Sequence, residues 1–89
     1  MKQSEKRNTI RRLRLIAGQI KGLEKMVMEE KYCTDVIYQS LAVKAALSSF
    51  EDVVLKGHLE SHAVTQMKSK NPSRAVKEIL TIFKLSKKK

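Results

Sequence analysis

The stretch from Tyr32 to His62 constrains the fold most, because it has the composition and apolar spacing of one long helix. Gly57 interrupts the pattern, but apolar residues resume at Leu59, so we predict a helix that continues to about Gln66. A helix this long needs a partner to cover its apolar stripe, and a chain of 89 residues buries little surface by itself. We therefore expect an oligomer. The stripe consists of Val36, Val43, Leu47, Phe50 and Val54, with Ile37, Leu41 and Val53 alongside.

Two further helices flank this one, and the spacing predicts helices over about 5–29, 33–66 and 72–85. With no Trp, one Pro and three Gly, the composition favours an all-α chain over a sheet protein. Asn71 and Pro72 are suited to the N-cap and first position of the third helix. We predict one all-α domain over residues 1–89, with a long antiparallel hairpin of helices one and two and a short helix three. The first helix has its apolar stripe at Ile10, Leu13, Ala17, Ile20, Leu23 and Val27, and the third at Val76, Ile79, Leu80 and Phe83.

Candidate metal ligands stand at the two ends of the central helix. His58 and His62 are four residues apart and share a helical face, whereas Cys33 lies roughly 37 Å away along the same helix. A second copy running antiparallel would place Cys33 beside the histidines of the other chain and create two symmetric sites. The two-fold axis would then pass near residues 45–48, in a segment with four small residues in five. Two simpler interpretations stay open: a buried structural cysteine, and histidines that complement the helix dipole.

Positive charge is concentrated at the two ends of the chain. The net charge is +10, divided as +5 over residues 1–31, −2 over 32–66 and +7 over 67–89. This segregation favours nucleic acid as a partner, although a solvated basic surface is the alternative. Arg7, Arg11 and Arg14 form one row on the first helix, with Arg12 beside it, and could contact phosphates along it.

Several classes of protein are disfavoured by what the sequence contains. No apolar run approaches the ~18 residues of a membrane span, and a single cysteine suits a reducing cytoplasm. The segment from His58 to His62 is not an HExxH motif, and three helices in 89 residues offer little room for a substrate cleft, so we do not expect an enzyme. Gly18 and Gly22 interrupt the first helix and suggest close packing against another helix.

Three segments together resemble the CsoR/RcnR/FrmR family of bacterial metal-sensing repressors: residues 12–23, the Tyr32-Cys33 pair and residues 57–62. The resemblance covers nearly the whole chain. It implies an all-α dimer that forms a four-helix bundle and pairs into a tetramer. It also implies binding to operator DNA through basic residues of the first helix, with release when an inducer binds between subunits. Arg12 matches a DNA-contacting arginine of the family, and Tyr32 and Glu78 match residues that hydrogen-bond the metal-bound histidine in its copper sensors.

The resemblance also narrows the choice of inducer. Copper sensors of the family typically have Cys, His and Cys, whereas the third position here is His62, which gives a less soft ligand set. We expect Cu(I), with Cu(II), Zn(II) or Ni(II) as alternatives. A nickel or cobalt sensor would resemble this set but adds an N-terminal histidine, and a formaldehyde sensor has an N-terminal proline where this chain has Lys2. The alternative from another class is a constitutive, basic nucleic-acid-binding protein without an inducer.

Overall fold

A computed structural model of the chain describes residues 2–63, 65, 68–69 and 72–87. It contains three α-helices: α1 over Gln3–Met28, α2 over Cys33–His58 and α3 over Ser73–Ser86. A five-residue π-helix, Leu59–Ala63, follows α2 directly. The described residues form no strand, which confirms the predicted all-α class with three helices. No helix in this described portion has both the length and the apolarity that a membrane span requires.

The chain divides into two compact units, one up to Leu55 and one from Lys56 onward. The first unit contains α1 and most of α2, which have 26 residues each and are therefore matched in length at about 39 Å. Only residues 29–32 connect them, and two helices joined by so short a segment form a hairpin. The predicted hairpin of the first two helices is confirmed.

A Schellman turn ends α1 and starts the connection. The amide of Lys31 donates to the carbonyl of Met26 at 2.9 Å, and the amide of Glu30 donates to the carbonyl of Val27 at 3.1 Å. Glu30 has a φ of 54°, in the left-handed region that glycine adopts most readily. This position therefore places the chain reversal just before Tyr32 and Cys33.

The start of α1 lies two residues earlier than the sequence predicts. The backbone amide of Lys2 donates to Glu5 Oε2 at 3.3 Å, which satisfies a donor at the helix N-terminus. The hydroxyl of Thr9 donates to the carbonyl of Glu5 at 2.7 Å in the following turn. Local bonds to the side chain and the backbone carbonyl of Glu5 thus support the helix in the polar segment.

The face of α1 that is turned inward is not the apolar stripe predicted from the sequence. Thr9 and Ile16 are buried, and the half-buried residues of the helix continue their spacing of three and four. Apart from Leu23, which belongs to both, the predicted stripe lies beside this face and stays open in the single chain, with Leu13 40% and Val27 62% exposed. On α2, Val43 is buried and Val36 and Phe50 are half-buried, as expected for its stripe. The half-buried residues of α1 that complete its inward face are Arg12, Gln19, Leu23 and Met26.

The second unit contains the last turn of α2, the π-helix and α3. The predicted helix continues beyond His58 but not as one α-helix, because residues 59–63 form the π-helix; Thr65 is again α-helical, and Gln66 lies outside the described residues. The hydroxyl of Ser61 donates to the carbonyl of Gly57 at 2.7 Å, and this carbonyl is the one that Ser61 N–H would use in an α-helix. A weak helix former at Gly57 and this competing hydroxyl favour the wider π turn.

The third helix begins one residue later than predicted. Pro72 occupies the N-cap, with its carbonyl accepting the amide of Val76 at 3.3 Å, and the first helical residue is Ser73. Asn71, the predicted cap, lies outside the described residues. Within the helix Ala75 is 1% exposed, whereas Val76, Leu80 and Phe83 are 45–53% exposed. Much of the predicted stripe of this helix is therefore open in the single chain.

Candidate metal centre and nucleic-acid interface

Cys33 is the first residue of α2, and its position follows from the turn before it. The carbonyl of Tyr32 accepts the amides of Asp35 at 3.0 Å and Val36 at 3.2 Å, so Tyr32 caps the helix through its backbone. Cys33 is free and exposed, and the Tyr32 residue is 73% exposed. The thiol is thus accessible at the start of a rigid helix, and the phenol beside it is not used in packing the single chain.

His58 ends α2 and lies near the carboxylate of Glu78 on α3. His58 Nε2 is 3.9 Å from Glu78 Oε2, and the two side chains are 29% and 39% exposed. The other oxygen of the carboxylate, Oε1, accepts a hydrogen bond from Arg74 Nε at 3.2 Å. A carboxylate beside an imidazole is the usual arrangement that orients a metal-binding histidine. The structure therefore brings together His58 and Glu78, which the family resemblance pairs.

His62 belongs to the π-helix, and its side chain lies outside the described residues. The sequence argument for a shared face assumed α-helical geometry over residues 58–62. In a π-helix the bonds run from residue i to i+5, so residues four apart fall short of a full turn. The backbone at His62 consequently departs from the α-helical geometry that this argument assumes.

The two proposed ligands whose side chains the structure describes, Cys33 and His58, lie at opposite ends of α2. Among the described residues, no three Cys, His, Asp or Glu side chains form a group able to hold a metal ion. Cys33 begins α2 and His58 ends it, so the length of this 26-residue helix separates the two residues along the chain. Any site that uses both residues requires a second chain.

The basic face of α1 has the arrangement predicted for Arg7, Arg11 and Arg14. All three are exposed, and Arg11 donates to Asn8 Oδ1 at 3.3 Å along the same helix. Arg7 and Arg14 are separated by seven residues, or about 10 Å of helix, which suits a run of phosphates. The helix as a whole carries seven Lys and Arg against two Glu.

Arg12 differs from these three arginines. It is half-buried, and its buried Nε has no hydrogen-bond partner within the part of the chain that the structure describes. The same is true of Gln19 Oε1, seven residues further along the inward face of α1. Buried polar atoms are usually paired, so this face presents a donor and an acceptor with capacity for further partners.

The two glycines of α1 lie on the arginine face. Gly18 follows Arg14 by four residues, and Gly22 follows Gly18 by four. A Cβ built at either glycine would meet nothing within 4 Å, and neither has a positive φ. Close packing of helices within the chain therefore does not explain them, and the expectation of such packing has no support inside one subunit.

Arg74 is a neighbour of the candidate site that the sequence argument does not single out. Its contact with Glu78 spans four residues of one helix, and this spacing is visible in the sequence. Gln19 was also missed, because a polar residue on an inward face has no signature in the apolar periodicity. Lys21 and Lys25 continue the basic side of α1 beyond Arg14 and were likewise not singled out.

These features define a class: an all-α chain with a basic helix and Cys and His residues at opposite ends of its longest apolar helix. Comparison with known proteins identifies the family, because residues 5–85 match the family of metal-sensitive transcriptional repressors. The chain belongs to this family. It is consequently a metal-responsive repressor of transcription rather than an enzyme, and DNA is its partner.

Individual relatives show the same relationship. The chain is 34% identical to the copper-sensing transcriptional repressor CsoR of Bacillus subtilis over 90% of its own length and 79% of that protein. It is 45% identical to the copper-sensing transcriptional repressor RicR of Mycobacterium tuberculosis over 70% of its length and 64% of that protein. The fold matches the crystal structure of the copper-sensing repressor CsoR with Cu(I) from Geobacillus thermodenitrificans. The TM-score is 0.90 at 27% identity, covering 99% of this chain and 92% of that one.

Proposed function

We propose that this protein is a copper-responsive repressor that binds operator DNA without metal and is released when Cu(I) binds between two subunits. The ligands would be Cys33 of one chain with His58 and His62 of the partner subunit. The placement of Cys33 and His58 at opposite ends of α2 is the observation on which this proposal rests. Two antiparallel copies of α2 would bring each thiol to the opposite imidazoles, with two sites per dimer.

The exposed apolar surface supports a homodimer. In the described residues the buried apolar side chains are Ile16, Val43 and Ala75, whereas Ile20 on α1 and Ile37 on α2 are 51% and 57% exposed. Apolar surface of this extent on a small chain marks an interaction site. The small-residue segment at 45–49 is largely exposed, as a close crossing of two α2 helices requires. Pairing of such dimers into a homotetramer follows from the family resemblance.

The donor set fits copper. A thiolate and imidazoles are soft and borderline ligands, which suit Cu(I) and also accept Cu(II), Zn(II) or Ni(II). The exposed thiol of Cys33 is free, and His58 already has the carboxylate of Glu78 at 3.9 Å from its ring. Three relatives or matched structures are named as copper-sensing or contain Cu(I), which favours copper over the other metals. When bound, the metal would link two subunits through its coordination bonds to ligands from both.

The basic face of α1 is the proposed operator-binding surface. Arg7, Arg11 and Arg14 would contact phosphates from the exposed row, and Arg12 would contribute from its edge. Two copies of four arginines neutralise up to eight phosphates, which corresponds to a slope of about −7 in a plot of log K against log salt. Metal binding at the dimer interface would favour an arrangement in which the two basic faces no longer match the duplex. Such a repressor would act in the cytoplasm.

The test is a paired measurement of copper binding and DNA release. Cu(I) is titrated anaerobically against a chromophoric chelator, and operator DNA release is followed by fluorescence anisotropy, for wild type and Cys33→Ala. We expect one tight Cu(I) per chain and copper-dependent release in wild type. Cys33→Ala should retain its affinity for DNA but lose both tight Cu(I) binding and copper-dependent release of DNA. Salt-dependent DNA binding that ignores every metal would instead identify a constitutive nucleic-acid-binding protein, and a response to Ni(II) or formaldehyde alone would reassign the inducer.

A further inference from the structure

The carboxylate of Glu78 lies between two nitrogen groups, and each of its oxygens has a different neighbour. Oε1 accepts the hydrogen bond of Arg74 Nε at 3.2 Å, and Oε2 faces His58 Nε2 at 3.9 Å. The first contact lies within one helix, four residues apart, whereas the second joins α3 to the end of α2. The orientation of the carboxyl plane therefore decides which oxygen of Glu78 faces the imidazole of His58.

The contact to His58 is not yet a hydrogen bond, because 3.9 Å exceeds the usual 2.7–3.2 Å range. The terminal torsion of a glutamate is broad and roughly two-fold, so the carboxyl plane needs an external constraint to stay aimed at the ring. Arg74 provides that constraint through a planar guanidinium, whose donors have a fixed direction. The only described groups in ion-pair contact with the Glu78 carboxylate are Arg74 and His58.

The Arg74–Glu78 pair has little value for the stability of the fold. The Arg74 side chain is 81% exposed, and exposed pairs four apart on a helix contribute little to the free energy of unfolding. The same contact is better suited to orienting the Glu78 carboxylate, because a metal-binding histidine depends on a correctly placed hydrogen-bond acceptor beside its ring. A surface arginine that is nearly neutral for folding can still affect the site.

We propose that Arg74 is a positioning residue of the metal site. It holds the carboxylate of Glu78 so that Oε2 stays directed at His58 Nε2 and accepts a hydrogen bond from Nε2–H when the 3.9 Å separation closes, which would make Nδ1 the metal-binding nitrogen. The tautomer of a histidine is set by the hydrogen bond that its other nitrogen makes. The inference deepens the proposed function and rests on it, but its first consequence, the tautomer of His58, exists in the metal-free protein.

Lys77 gives a matched control. It has the same charge, is exposed on the same helix three residues after Arg74, and is not among the described groups within 4.0 Å of the Glu78 carboxylate. Arg74→Gln and Lys77→Gln therefore remove equal charge from α3 but differ in contact with Glu78. Arg74→Lys keeps the charge but loses the planar donor, so its His58 tautomer and Cu(I) affinity should lie between those of wild type and Arg74→Gln.

The experiment reads the imidazole directly. Two-dimensional ¹H–¹⁵N spectra of the metal-free protein, recorded where both imidazoles are neutral and assigned with His62→Gln, give the tautomer of His58. We expect the Nε2–H form to predominate in wild type and Lys77→Gln, and the Nδ1–H form to gain population in Arg74→Gln. Cu(I) affinity should fall about two- to five-fold in Arg74→Gln and stay at the wild-type value in Lys77→Gln.

A double variant tests whether Arg74 acts by positioning Glu78 or only through its positive charge. In a Glu78→Gln background, Arg74→Gln should change neither the tautomer nor the Cu(I) affinity further, because the carboxylate through which it acts is gone. Equal behaviour of Arg74→Gln and Lys77→Gln, or an undiminished Arg74→Gln effect without Glu78, would overturn the inference. If wild type fails to bind Cu(I), the proposed function fails, and the tautomer in the metal-free protein still decides the role of Arg74.

Discussion

Replacing Glu30 by glycine should stabilise the protein, because Glu30 is the residue with a left-handed backbone at the end of α1. Its φ of 54° costs an L-residue about 1–2 kcal/mol relative to the right-handed region. Glycine avoids this cost but gains freedom in the unfolded chain, which offsets about 0.4–1 kcal/mol. The net gain is about 0.5–1 kcal/mol per chain. For a chain of this size that corresponds to a rise in Tm of about 2–8 °C.

The assay is thermal unfolding followed by helical circular dichroism at one fixed protein concentration, since association also shifts Tm. Glu30→Gln is the matched control, because it removes the charge and keeps the backbone penalty, and its Tm should change little. Glu30→Asn should fall between the two, as asparagine tolerates the left-handed region. A Tm of Glu30→Gly at or below that of Glu30→Gln would refute the reasoning. Cu(I) affinity should be the same in all three, because the Schellman bonds use backbone groups.

Three further predictions concern the basic helix and the metal site. Gly18→Ala should raise the free energy of unfolding by about 1 kcal/mol, because alanine favours the helix and the added methyl meets nothing within 4 Å. If DNA approaches this face, the same variant should also weaken operator binding in an anisotropy titration. Unchanged DNA affinity would show that Gly18 lies outside the interface. Arg12→Ala should weaken DNA binding and leave Cu(I) affinity within about two-fold, and a loss of copper binding would show that its half-buried side chain supports the dimer instead. Glu78→Gln should lower Cu(I) affinity by about 10–100-fold in the chelator competition, and an unaltered value would separate Glu78 from the site.

Much of the fold could be predicted because helices have a strong local signature. The apolar spacing and the small number of Gly and Pro residues were sufficient for three helices and the α1–α2 hairpin. The inward face of α1 could not be predicted in this way, because it contains Arg12 and Gln19 among its half-buried positions. Periodicity identifies apolar residues but does not tell whether the same chain or another subunit covers them.

The end of α2 shows a second limit of sequence reasoning. A π turn depends on which donor reaches the carbonyl of Gly57, and the hydroxyl of Ser61 competes there with a backbone amide. Helix propensities alone do not resolve such a competition. The pairing of His58 with Glu78 was implied by resemblance rather than spacing, since these residues lie on different helices. Arg74, by contrast, lies four residues from Glu78 and was within reach of a helical-spacing argument.

The central claim is that the metal site is shared between subunits, and mixing two inactive variants tests it most directly. Cys33→Ala and His58→Ala chains each lack one ligand in every site of their own homodimers. After the two are unfolded together and refolded, a mixed dimer contains one complete site, formed by Cys33 of one chain and His58 of the partner subunit. We predict that a 1:1 mixture recovers about a quarter of the wild-type Cu(I) capacity, while each variant alone has none. No recovery in a mixture shown by mass spectrometry to contain mixed dimers would contradict the shared site.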